Sequence, residues 1–307
     1  MVENTIVFPI IRQDLMRTAL ETLYRYTESN FRVIVIDQSP NGIEKDIIDK
    51  YIHLYIRPYR NLGFAKATNV GFRLADTKYV TTCNDDVEFI GDWFDGIVKT
   101  FDKVDKATPE RPCVMVNPSS VKLPDWSVGK PKGEDHYILP YKQFYSHEDY
   151  EYLLNEPHYV NEHLTIMPET VIDGVACYCS VFKKEHLDKI GYFDERYYPG
   201  SGQDYDFACR ANMLGYRSVG TTLSYVFHHW SKSFTSVQEQ EEIRALIDPE
   251  RCWNNLGEAW GEGRHSLWGA KCSVCQEEMR VIKGTNFATC SKKHERYKIP
   301  EVVKVPL

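Results

Sequence analysis

Val80-Thr81-Thr82-Cys83-Asn84-Asp85-Asp86-Val87 opens with β-branched residues and runs straight into an amide and two carboxylates. The opening reads as an interior strand, and the polar group falls where the strand gives out. Hard divalent cations take oxygen ligands and keep several waters, so one or two carboxylates beside a diphosphate make a magnesium or manganese site. An acidic turn or helix cap would use the same residue types. The chain on either side decides between the two.

On the amino-terminal side, short apolar runs alternate with amphipathic stretches. Thr5 to Phe8, Val33 to Asp37, Leu54 to Arg57 and Tyr79 to Cys83 are predicted strands, with Val114 to Asn117 following. Helices are predicted near Leu15 to Tyr26, Glu44 to Tyr51, Phe64 to Ala75 and Trp93 to Val104. This alternation predicts an α/β fold with a doubly wound, mostly parallel sheet. Such sheets bind ligands beyond the carboxyl ends of their strands. The residues there are Pro9 to Arg12, Asp37 to Ser39, Arg57 to Gly63 and Asn84 to Val87. Gly63 would permit a tight turn, and the helix start after it would offer unpaired amides to an anion.

On the carboxyl side, residues 118–170 lose periodicity and read as an irregular insertion rich in proline, tyrosine and histidine. Val171 to Lys183 is predicted as one strand, followed by a helix at Glu185 to Ile190 and a glycine-bearing loop, Pro199 to Gly202. A helix from about Asp204 to Leu214 places Asp204 with Phe207, Ala208 and Ala211, which predicts an inward carboxylate able to act as a cap or a general base. Asp206, two residues on, would face away. A strand near Val226 ends at His228-His229, and a polar helix is expected around Val237 to Ile247.

The formal charge of −7 argues against a protein that coats nucleic acid indiscriminately. No G-x-G-x-x-G follows the first strand, which disfavours a dinucleotide-dependent oxidoreductase. With no signal-like amino terminus, no run of about 20 apolar residues and scattered cysteines, the expected setting is soluble and cytoplasmic.

The ordered set of segments resembles the family-two, GT-A-type glycosyltransferases over about residues 4–235. The matching pieces are Phe8-Pro9, Val35 to Ser39, Arg60 to Ala65 with Asn69 and Gly71, Asn84 to Val87, Asp173 to Cys177, Ile190 to Glu195, Gln203 to Asp206 with Arg210, and His228-His229. The resemblance implies an inverting transferase that moves a sugar from a nucleotide-diphosphate donor (UDP, GDP or dTDP linked) to an acceptor hydroxyl. Pro9, Asp37, Asn61, Gly63, Asn69, Asp85 and Asp86 would bind the donor. Asp86 with His228 or His229 would hold Mn2+ or Mg2+, Asp204 would be the catalytic base, and Asp173, Gly174 and Gln203 would line the acceptor and donor pocket. Asn84 and Gln203 stand where the family carries acidic residues. The domain implied is residues 1–248; the acceptor could be a glycan, a protein or a modified nucleic acid.

Residues 249–307 read as a linker and a small separate module. Cys272 and Cys275 form a Cys-x2-Cys pair, and after fourteen residues Cys290 and His294 form a Cys-x3-His pair. Two such pairs suit tetrahedral zinc with all positions filled by protein. Lys271, Arg280, Lys283, Lys292, Lys293, Arg296 and Lys298 make the region basic. A degenerate transferase fold tethered through this module to nucleic acid or another anionic partner is the alternative reading.

Overall fold

The computed structural model describes residues 2–121, 171–173 and 177–229, with short pieces at 251, 274–275, 280–281, 287–289, 292–293 and 296–298. Its first strand, β1 (Asn4–Ile10), is buried along its whole length, as expected where helices cover both faces of a sheet. Successive side chains divide between the faces. Ile6 and Phe8 join one core with Val33 and Val35 of β2 (Phe31–Asp37), while Val7 joins the other with Ile34 and Ile36.

The first core is closed by α1 (Met16–Tyr26), α2 (Lys45–Tyr51) and α4 (Trp93–Ala107). The second is closed by α3 (Phe64–Leu74), α5 (Lys184–Ile190) and α6 (Gln203–Met213). The remaining strands of the main sheet are β3 (Leu54–Ile56), β4 (Tyr79–Cys83), β5 (Val87–Phe89), β6 (Cys113–Val121), β7 (Val171–Asp173), β8 (Cys179–Lys183) and β9 (Arg217–His228). They run in the order β3-β2-β1-β4-β8-β6-β9-β5, with β7 added on β9. The expected parallel pairing holds through β3, β2, β1 and β4. Beyond β4 the sheet is mixed: β8 is antiparallel to both neighbours, and β6 and β9 are parallel to each other.

Two sequence expectations change here. The single strand over Val171 to Lys183 is two strands with different partners, β7 on β9 and β8 on β4. β5, three residues beginning at Val87, was not expected; it pairs with the end of β9. The expected helix at Val237 to Ile247 and nearly all of the 118–170 insertion lie outside the described residues.

Helix α3 meets β1 at Gly71, where a Cβ would fall inside the Val7 side chain. The same helix is tied to the segment after α5: Asn69 Nδ2 donates to the Phe193 carbonyl at 2.9 Å, and Asn69 Oδ1 accepts from the Phe193 amide at 3.0 Å. The Phe193 ring packs on Phe64, Phe72, Phe182 and Phe207, joining α3, β8 and α6. Truncating a buried phenylalanine costs about 3–5 kcal/mol, so Ile190 to Glu195 holds the second core together.

A separate three-stranded antiparallel sheet, in the order β10 (Arg280–Val281), β11 (Phe287–Thr289), β12 (Arg296–Lys298), forms near the carboxyl terminus. Among the described residues, no helix is long and apolar enough to cross a membrane.

Candidate functional site

The carboxyl ends of β1, β2 and β4 gather the polar residues that the alternation predicts. Asp37 ends β2 and is fully buried. Its Oδ1 accepts the Ser39 amide at 2.8 Å and its Oδ2 accepts the Tyr55 hydroxyl. Pro9, buried inside β1 opposite Ile36, lies where β1 outruns β4, which pairs only with Asn4 to Val7. Its missing amide therefore costs that ladder nothing.

Asn61 and Gly63 form the turn into α3. Asn61 Oδ1 accepts the Gly63 amide at 2.9 Å, and Gly63 has φ 76°, a conformation that favours glycine. A Cβ on Gly63 would lie 2.8 Å from the Tyr198 ring and 2.9 Å from the Pro199 carbonyl oxygen. The expected open helix start is partly used: the Phe64 amide donates to that Pro199 oxygen at 2.7 Å. The side-chain amide of Asn69, expected in the donor pocket, is engaged with Phe193 and Glu195.

The two adjacent carboxylates after β4 have different environments. Asp85 Oδ2 accepts the Arg12 amide at 3.1 Å, fastening the turn to the end of β1. Burial and the neighbouring Asp86 charge push its carboxyl up to about 7, against the pull of the Ile11 and Arg12 amides. Asp86 is also buried, which alone would raise it, but the nearby His228 and His229 hold it below the usual carboxylate range. His228 Nε2 lies 3.1 Å from Asp86 Oδ1 and 3.4 Å from Asn84 Nδ2. That Oδ1 is buried, and its contact with the imidazole lacks full hydrogen-bond geometry. A buried carboxylate oxygen of this kind costs about 1–3 kcal/mol, and a cation beside the imidazole would satisfy it.

The sequence left His228 and His229 as equal candidates; their surroundings differ. His229 turns to Glu88, with Nε2 at 2.6 Å from Oε1, while its backbone amide donates to the Asp86 carbonyl at 3.0 Å. Among the described residues, no three His, Cys, Asp or Glu side chains converge as a metal cage. Asp86 and His228 are two groups that could hold a divalent cation, which would then need oxygen ligands from water or a diphosphate.

Asp204 lies in the first turn of α6; the residue as a whole is part-exposed, while its carboxyl is buried beside the Cys177 amide. The buried stripe of the helix is Gln203, Asp206, Phe207, Arg210, Ala211 and Leu214. Asp206 is the fully buried carboxylate, bonded to Arg210 Nε at 2.8 Å, and Arg210 reaches on to the carbonyls of Ile190 and Tyr192. Asp204 instead accepts the Tyr205 amide at 3.0 Å and the Cys177 amide at 3.5 Å. Burial raises its carboxyl above the ordinary aspartate range, more than these amides lower it. Gln203 is buried with its Oε1 unpartnered. Asp173 lies in β7, and Gly174 lies outside the described residues.

Tyr178 carries no signal that sequence reasoning could use. Its carbonyl accepts the Asn84 amide at 2.8 Å, its ring stacks on His228, and its hydroxyl donates to the Pro118 carbonyl. Cys177 touches Asp204 and the next residue touches His228, so two consecutive residues link the α6 carboxylate to the Asp86 and His228 pair.

Comparison with solved structures gives an overlay with GalNAc-T7 in a crystal with UDP, GalNAc and Mn2+, with a TM-score of 0.51 at 11% identity. That overlay covers 86% of this chain and 51% of the other, so the chain spans about half the length of that protein. An S. aureus TarS fragment, residues 1–349 with UDP, overlays with a TM-score of 0.49 at 14% identity, covering 89% of this chain and 76% of that one. The GalNAc-T7 likeness concerns the fold alone. A search of curated proteins finds no significant match. Residues 5–191 match the description of the family "Glycosyl transferase family 2", which is more than half of the sequence, and the chain therefore belongs to glycosyl transferase family 2.

Proposed function

We propose that the chain is an inverting glycosyltransferase that passes a sugar from a nucleoside-diphosphate donor to an acceptor hydroxyl. The observation that supports this reading is the placement of Asp204 beside Cys177 and of His228 beside Tyr178, so that two consecutive residues connect one carboxylate with a carboxylate and imidazole pair. In this reading Asp37 receives the nucleoside, Asp86 and His228 hold a divalent cation, and Asp204 takes the proton from the attacking hydroxyl. A mixed oxygen and nitrogen ligand set favours manganese over magnesium. Such a cation, when bound, offsets the charge that develops on the departing diphosphate. The raised carboxyl of Asp204 brings its proton affinity closer to that of the working medium.

Screening UDP-, GDP- and dTDP-sugars for hydrolysis and transfer, with Mn2+ or Mg2+ present, tests this reading. UDP-sugars come first, because UDP accompanies the GalNAc-T7 fold relative. The wild-type chain is expected to turn over one of them, and Asp86→Ala to lose metal-dependent donor binding. Full turnover by that variant, or in excess chelator, would remove the metal assignment.

We further infer that Cys272, Cys275, Cys290 and His294 bind structural zinc. Only Cys275, a part-exposed free thiol, belongs to the described residues. Support comes from strand register: Arg280 pairs with Thr289 and Thr289 with Arg296, which aligns the start of β10, the end of β11 and the start of β12. Cys290 follows Thr289 directly, His294 precedes β12, and Cys275 precedes β10. One zinc per chain by elemental analysis, lost in Cys272→Ser, is the expected result; a metal-free chain would refute it.

A further inference from the structure

The loop after β2 is fastened to β3 by more bonds than a connecting turn needs. Gln38 Oε1 accepts the Leu62 amide at 2.7 Å, and Ser39 Oγ accepts the Gly42 amide at 3.1 Å. Arg57, just past β3, donates from Nη2 to the Ser39 carbonyl at 2.8 Å and the Pro40 carbonyl at 3.1 Å. Tyr55, inside β3, donates its hydroxyl to Asp37 Oδ2 and accepts the Ile43 amide on the same oxygen at 3.3 Å. Gly42 has φ 81°, and a Cβ there would run into the Arg57 guanidinium and lie 3.2 Å from the Tyr55 hydroxyl. Two side chains, those of Tyr55 and Arg57, therefore meet over a residue whose backbone conformation favours glycine.

We propose that Tyr55, braced by Arg57 over Gly42, is a positioning residue that fixes the Asp37 carboxylate for the nucleoside end of the donor. Ser39 holds one Asp37 oxygen and Tyr55 the other, so the plane of the carboxylate is set before a ligand arrives. Each oxygen keeps a free lone pair for an N–H or O–H of a base or ribose. A ligand that meets a fixed acceptor loses less on ordering than one that must align a free side chain. The inference rests on the proposed role of Asp37 and adds the residues that make that role effective.

The test measures calorimetric binding of two probes to the full chain. UDP, GDP and dTDP are first compared on the wild type, and the tightest is carried forward. Inorganic pyrophosphate, which has no base or ribose, is the second probe. Tyr55→Phe removes the donated bond with little change of shape and is expected to weaken the nucleotide about tenfold, as for loss of a hydrogen bond to a charged group. Its pyrophosphate affinity should match the wild type. Gly42→Ala, which displaces Arg57 from the other side, should show the same split, and Asp37→Ala at least as large a nucleotide loss. If Tyr55→Phe binds the nucleotide normally while Asp37→Ala does not, or if it loses both probes equally, the positioning role is overturned and that of Asp37 stands. If Asp37→Ala binds the nucleotide like the wild type, the role of Asp37 falls and the inference falls with it.

Discussion

The ring of Tyr178 lies flat against the imidazole of His228, with centroids 4.8 Å apart and planes 16° from parallel. The tyrosine is anchored at its far end by the bond from its hydroxyl to the Pro118 carbonyl, so the stack sets the plane in which His228 Nε2 meets Asp86. Residues that orient a metal ligand typically carry about 10–100-fold in metal affinity. Tyr178→Leu should weaken Mn2+ binding in that range, followed by the paramagnetic signal of free Mn2+. Tyr178→Phe keeps the stack and should bind much closer to the wild type. Equal affinities in all three chains would show that the stack does not orient His228.

Asp204 must be ionised to take a proton, and burial holds its carboxyl above the usual range. The transfer rate should therefore fall on the acid side at a higher pH than an exposed aspartate would give. Asp204→Asn should lose at least about a hundredfold in rate while keeping donor affinity. A variant with an unchanged rate would move the base to another residue.

Asp206 calls for a different outcome, although it is two residues away. Its partner Arg210 is almost wholly buried, and removing one member of a buried ion pair costs about 3–5 kcal/mol. Asp206→Ala should lower the denaturation midpoint steeply. Asp204→Asn should leave it nearly unchanged, and urea titration of the two variants side by side separates a folding residue from a catalytic one.

Gly71 sits in mid-helix, where alanine would ordinarily gain about 1 kcal/mol in helix propensity. Here the added methyl would enter the Val7 side chain in the central strand, and overpacking of a buried contact costs about 1–3 kcal/mol. The steric cost is the larger, so Gly71→Ala should destabilise the chain. A gain in denaturation free energy would show that α3 can shift away from β1.

The parallel half of the sheet was legible because β1, β2 and β4 are largely buried and appear as runs rich in apolar and β-branched residues, with the part-exposed β3 at its edge. β5 was not, since three residues carry no period and the strand it pairs with among the described residues, β9, comes far later. The apolar face of α6 was legible in Phe207 and Ala211, but Asp206, expected to face away, is buried with Arg210, and each makes the other tolerable in the core. Asp37, Asp85, Asp86 and Asp204 could be found as polar residues after strands or at a helix start. Tyr55 and Tyr178 could not, because what they do depends on partners that only the folded sheet brings near.

His228 stands 144 residues after Asn84, and the strand that carries it is also the one on which β5 docks. Synthesis at about 5–20 residues per second would separate the two by roughly 7–30 s. Throughout that interval the nascent chain presents the Asn84-Asp85-Asp86 turn without its imidazole and β5 without its neighbour. The carboxylates are thus made early, but the pairing of Asp86 with His228 is completed only when β9 takes its place, so a chain that stops short of β9 lacks that pair.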